Sequence, residues 1–193
     1  MWHKNGAMAP PRPPRRPRPL DSKRLQELAL RYVGRYSTTR AKLRAYLARK
    51  IRERGWDEST EPDLDRLATR FCDLGYVDDA AYALAKAQAL SSRGYGRRRL
   101  DEKLRLAGID DEDRGAARDH ADARAVDSAL RFAERRRIGP FGASSADPKQ
   151  REKAIAAMVR AGHPFGLARA IAELQPGANV DAEELRQLSR IGS

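Results

Sequence analysis

Between Gly75 and Ile109 the chain reads GYVDDAAYALAKAQALSSRGYGRRRLDEKLRLAGI, and both ends of two successive helices are written into that stretch. No other feature constrains the fold as much: a chain whose helices stop after three or four turns must build its core from many short rods. Asp78 stands where a carboxylate accepts a free first-turn amide, and Asp79 adds negative charge at the positive end of the helix dipole. Val77 and Tyr82 have the spacing of a hydrophobic staple. Tyr82, Ala85, Ala89 and Leu90 share one face, and the small alanines allow a second helix to approach closely. This helix is expected to stop at Gly94-Tyr95-Gly96. A second starts near Arg97, carries Leu100, Leu104 and Ala107 as its apolar stripe, and closes at Gly108 with Ile109 as the anchor behind it. Asp110 is the expected cap of a third, with Asp111, Glu112 and Asp113 in its first turn.

The same punctuation runs through the rest of the chain. Leu20 and Asp21 repeat the staple and cap, with Leu25 as partner, and Leu25, Leu28, Ala29, Tyr32 and Val33 form a stripe that ends near Gly34. Ser37 is the expected cap of the next helix, which carries Leu43, Tyr46, Leu47 and Ile51 and stops at Gly55-Trp56. Thr60 and Asp63 are spaced as a capping pair around Pro62, ahead of Leu64, Leu67, Ala68 and Phe71. Residues 111–134 are helical by composition, as one helix or two. After the Gly-, Ser- and Pro-bearing loop IGPFGASSAD, Asp147 and Pro148 open a helix with Ala154, Ile155, Met158 and Val159, closed at Gly162. Pro164 opens a short helix with Phe165, Ala168, Ile171 and Ala172. Val180, Asp181, Glu184 and Leu185 have the spacing of one more start.

Aligned by their middle helices, Leu43, Leu47 and Gly55-Trp56 correspond to Leu100, Leu104 and Gly108-Ile109, and then to Ala154, Met158 and Gly162-His163. An apolar-faced helix precedes each and another follows. The expectation is an all-α fold of three tandem three-helix repeats in an elongated, curved arrangement, since one triplet buries too little surface to stand alone. The expected units are 21–75, 76–127 and 128–175, with 176–193 a tail or short helix. Residues 1–20, rich in proline and arginine, are expected to be a disordered basic extension.

Charge narrows the partners. The formal net charge is +12; residues 1–20 hold five basic residues and no acid, so residues 21–193 still carry +7. A surface of that sign favours a polyanion, or a protein already bound to one. Cys72 is the only cysteine, which excludes an internal disulfide and a multi-thiolate metal site, and its place beside Phe71 reads as a small buried residue. His3, His120 and His163 have no triad or metal-ligand spacing, and no phosphate-binding GxxxxGK[ST] loop occurs. No apolar run is long enough to span a membrane, and the start lacks the apolar core of a secretory signal, so a cytoplasmic protein is expected. The reading is of a non-catalytic protein without metal or cofactor.

GYVDDAAYA, followed by RGYGRRR and LDEKLRLAGI and preceded by YSTTRAKLRAYLARK, resembles the RecX family in order and spacing over roughly residues 25–112. REKAIAAMVRAGHPFGLARAIAEL extends the likeness. The resemblance implies a bacterial regulatory protein that lies in the groove of the RecA filament on DNA. Its implied effect is to inhibit RecA's ATP hydrolysis, strand exchange and co-protease action, within recombinational repair and the SOS response. The Pro/Arg-rich extension, the long connection 52–61 and the loop 139–147 depart from the family pattern.

The candidate interface is basic. Arg93, Arg97, Arg98 and Arg99 surround the double-glycine turn, where a phosphate or acidic loop is expected to reach a helix N-terminus, and Tyr95 either stacks on a base or covers a repeat junction. Asp101 and Glu102 are spaced to pair with some of these arginines. Arg40, Lys42, Arg44, Arg49 and Lys50 form a second group, read as lacking nearby acids. The expected partners are the RecA nucleoprotein filament and, more weakly and electrostatically, single- and double-stranded DNA, with the protein a monomer. The alternative is an autonomous DNA-binding protein of helix-turn-helix type, with the turn at Gly94 to Gly96 presenting a recognition helix.

Overall fold

The computed structural model describes residues 18–191, so the expected extension at 1–20 lies almost wholly outside the described residues. Their architecture is all-helical: α1 (Ser22–Val33), α2 (Arg40–Arg54), α3 (Leu64–Asp73), α4 (Asp79–Ser92), α5 (Arg97–Leu106), α6 (Gly115–Ala123), α7 (Ala125–Arg136), α8 (Pro148–Arg160), α9 (Phe165–Glu173) and α10 (Ala182–Ile191). Short 3-10 turns at Asp111–Arg114 and Gly139–Phe141 lead into α6 and the loop before α8. Among the described residues no helix is long and apolar enough to cross a membrane.

Local capping sets most of these starts. Asp21, Asp63, Asp78 and Asp147 each accept a hydrogen bond from the amide three residues on, at Arg24, Arg66, Ala81 and Gln150, which satisfies one of the donors the first turn leaves open. Two starts differ from expectation. Thr39, not Ser37, caps α2 by accepting from the Lys42 amide, because its hydroxyl also donates to the Ala107 carbonyl at 2.7 Å. Asp63 alone caps α3, leaving Pro62 outside the helix. The Thr60 carbonyl is taken instead by the Trp56 indole N–H at 2.8 Å. Residues 115–136 form two helices, broken at Arg124.

The buried apolar residues fall into three clusters. One joins Leu20 and α1, α2 and α3 through Leu25, Leu43, Leu47, Ala68 and Phe71. A second joins α4, α5 and α6 through Ala83, Ala87, Leu100, Leu104 and Ala117. The third runs from Val126 on α7 through Met158 and Ile171 to Leu185 on α10. The packed face of α4 is rotated from the expected one: Ala83, Ala87 and Ser91 are buried, while Ala85 and Ala89 are exposed. The partner decides this, since α6 lies along α4 and brings its own small residues, Ala117 and Ala121, to that side.

The clusters join end to end through α2, α5 and α8. The C-cap Ala107 of α5 gives its carbonyl to Thr39 at the N-cap of α2. In the same way the C-cap Ala161 of α8 gives its carbonyl to the amide of Gly96, the N-cap of α5, at 3.0 Å. Each contact sets the negative end of one helix dipole against the positive end of another. At the second junction the backbones approach too closely for side chains. A Cβ on Gly96 would lie 2.3 Å from the Gly162 oxygen, and one on Gly162, which also has φ of 99°, would lie 2.5 Å from the Arg99 nitrogen.

Candidate functional site

The turn between α4 and α5 is held from below. Gly94 gives its carbonyl to His163, whose Nε2 lies 3.1 Å away; since a carbonyl only accepts, Nε2 carries the proton. The His163 ring is fully buried and meets Phe132 edge-on with centroids 5.8 Å apart, and its Nδ1 has no partner. Burial pushes its pKa down to about 4, and the bond to Gly94 offsets that only in part. Tyr95 packs, partly buried, against the third apolar cluster.

This closes the N-terminus of α5. Its first amides are occupied by the end of α8, with Gly96 donating to Ala161 and Arg98 to the Gly162 carbonyl at 3.3 Å. A phosphate approaching this turn would meet the end of α8, which already takes the Gly96 and Arg98 amides. The arginines divide as well. Arg97 pairs with Asp122 at 2.6 Å and lies 3.7 Å from Asp101, and Arg99 pairs with Glu102 at 2.6 Å. Burial raises the Asp122 pKa against the pull of Arg97. Arg93 and Arg98 are exposed, and neither makes an ion pair among the described residues.

Two further cations are brought to this turn that sequence reasoning missed. Arg131 and Arg135 on α7 donate to the carbonyls of Ser92 and Arg93, at 3.1 and 2.5 Å, and so complement the negative end of the α4 dipole. Both are exposed, and neither pairs with an acid among the described residues. The run Glu134-Arg135-Arg136-Arg137 was visible in the sequence, but nothing local tied it to a turn about forty residues away.

The second basic group was expected to lack acids, and the structure supplies them both from other elements and from α2 itself. Arg40 pairs with Asp110, Arg44 with Asp65 at 2.7 Å, and Arg49 and Lys50 with Glu53 at 3.6 and 2.5 Å. Lys42 donates to the Tyr82 hydroxyl at 2.6 Å. Pairs this exposed contribute little and open readily to a competing anion. The Arg40 amide donates to Asp79 at 2.9 Å, so Asp79, read as a dipole charge for α4, also serves the first turn of α2; its burial raises its pKa. The two basic groups are not one patch, since they lie toward opposite ends of α5, a separation of about 15 Å for ten residues.

Among the described residues no three His, Cys, Asp or Glu side chains converge as a metal site would require. Cys72 is half-buried, and burial and then Asp79 push its thiol pKa up, away from the reactive thiolate.

No protein-family model matches the chain. It is 32% identical over 182 residues to the regulatory protein RecX of Myxococcus xanthus, covering 86% of this chain and 92% of that one. It is 39% identical over 119 residues to the regulatory protein RecX of a Mycobacterium species (strain KMS), covering 55% of this chain and 62% of that one. Its fold matches the crystal structure of RecX from Lactobacillus salivarius with a TM-score of 0.56 at 17% identity, over 77% of this chain and 92% of that one. With identity at that level across nearly the whole Myxococcus protein, and with the fold shared, the chain belongs to the RecX family of regulatory proteins.

Proposed function

We propose that this protein is a non-catalytic regulator that binds the RecA filament on DNA and inhibits its ATP hydrolysis, strand exchange and co-protease action. In this reading it acts in the cytoplasm as a monomer, and the three apolar clusters are three successive units that follow the helical groove. The observation that carries it, beside family membership, is the turn at Gly94 to Gly96. There Arg93, Arg98, Arg131 and Arg135 stand exposed without carboxylate partners, a surface suited to acidic loops or phosphates. Arg97, Arg99 and Tyr95 support this surface by holding the fold around it. The second group, Arg40, Lys42, Arg44, Arg49 and Lys50, adds weaker, salt-sensitive attraction to DNA. The helix-turn-helix alternative is disfavoured because the first turn of α5, which would enter a major groove, is capped by α8.

The test is single-stranded-DNA-dependent ATP hydrolysis by RecA of the same organism, titrated with this protein below one copy per RecA. Inhibition well below equimolar ratio, weakened by Arg98→Glu with helical circular dichroism unchanged, is the expected result. Inhibition absent at every ratio would overturn the regulator reading, and inhibition untouched by Arg98→Glu and Arg93→Glu together would overturn the site.

A further inference from the structure

The end of α1 and the outer face of α2 enclose an open groove of about 770 Å³, a volume within the range of ligand clefts. A ladder of tyrosines runs along it. Tyr46 and Tyr32 stack face to face with centroids 4.1 Å apart and planes within 11°. Tyr36 continues the ladder, 5.3 Å from Tyr32 and tilted by 48°, and its side is open, with the residue 51% exposed. The end of the ladder therefore faces solvent.

Cations surround the ladder. The Arg35 guanidinium lies 5.6 Å from the Tyr36 ring centre, and Arg49 and Lys50 lie over Tyr46 at 5.7 and 5.8 Å. Arg31 and Lys42 complete the basic lining, and no carboxylate lines the groove. The acids that neutralise part of this charge, Glu27 and Glu53, stand outside it in exposed pairs with Arg31, Arg49 and Lys50.

We propose that this groove is a binding site for single-stranded nucleic acid, in which one base stacks on Tyr36 and extends the Tyr46-Tyr32-Tyr36 ladder while the adjoining phosphates lie against Arg35, Lys42 and Arg49. Aromatic faces beside a cationic channel are what unpaired bases on a charged backbone require. A duplex keeps its base faces stacked internally and offers only phosphates. An acidic peptide would use the cations and leave the exposed ring unused. The site deepens the DNA attraction proposed above for Lys42, Arg49 and Lys50 and rests on that part of the reading, while it needs no second protein.

The experiment is fluorescence anisotropy of a labelled oligothymidylate of about 12 nucleotides with the full chain at about 0.15 M salt, beside an abasic strand and a duplex of the same length. The expected result is that the single strand binds more tightly than the abasic strand or the duplex. Tyr36→Ala weakens its affinity about tenfold while Tyr36→Trp retains it, and neither changes binding of the abasic strand. Because Tyr36 is half exposed, both variants keep the fold, which circular dichroism checks. Equal affinity for the abasic strand, or an unchanged affinity in Tyr36→Ala, would overturn the proposal. So would polyglutamate bound as tightly as the oligonucleotide with the same dependence on Tyr36. None of these outcomes bears on RecA inhibition, which is read separately with Arg98 and Arg93.

Discussion

Acidifying the protein from about pH 7.5 to about pH 5 should weaken it through His163 alone by about 2 kcal/mol. The ring is fully buried, its Nε2–H is committed to the Gly94 carbonyl, and its Nδ1 faces no acceptor, so a second proton has no partner inside the fold. The folded pKa of about 4 lies below the ordinary 6.5. Between those values the unfolded chain takes up a proton that the folded chain refuses, and stability therefore rises with pH across that window. The loss starts as pH falls through 6.5 and levels off at about 3 kcal/mol below the folded pKa. Asp79 and Asp122 have raised pKa values and act with the opposite sign, gaining stability on acidification. The assay is urea unfolding at the two pH values for the parent protein and for His163→Gln, which keeps a donor for Gly94 and cannot take up the proton. The parent should lose about 2 kcal/mol more than the variant between the two conditions, or about 4–8 °C in Tm. The same pH dependence in both proteins would refute the reasoning and place His163⁺ in contact with water.

Thr39→Ala should cost about 2–3 kcal/mol, since it removes the α2 cap and leaves the Ala107 carbonyl without its donor. Thr39→Ser, which keeps both bonds, should stay within about 1 kcal/mol in the same urea titration. Gly96→Ala should cost about 1–3 kcal/mol or more, because its Cβ meets backbone atoms of Gly162 and His163 that no rotamer change can move. Gly115→Ala, with open space around its Cβ, should be neutral or slightly stabilising. Equal stability of the two glycine variants would show that the α5 to α8 junction yields easily.

Most helix ends were legible in the sequence because capping is a transaction between neighbours. Asp21, Asp63, Asp78 and Asp147 lie within three residues of the amides they satisfy, and the apolar spacing of Leu100 and Leu104, or Leu43 and Leu47, marked residues that are buried. Where a cap depends on a distant partner the local signal misleads: α2 starts at Thr39 because Ala107 accepts its hydroxyl, and no spacing within residues 37–42 records that. The end-to-end contacts between α2, α5 and α8 were not readable from any short stretch.

The candidate site shows the same division more sharply. The sequence determined that the surface is basic and that arginines crowd the turn at Gly94 to Gly96, since composition and glycine conformation are local properties. Only the tertiary structure decided which of those charges remain available. It sent Arg97 to Asp122 on α6, placed α8 against the amides an anion would have used, and brought Arg131 and Arg135 to the turn from α7. It also turned Tyr32, Tyr36 and Tyr46, spread over fifteen positions, into one ladder. An ion pair or a ring stack depends on the relative placement of helices, which long-range apolar packing fixes and no short stretch of chain encodes.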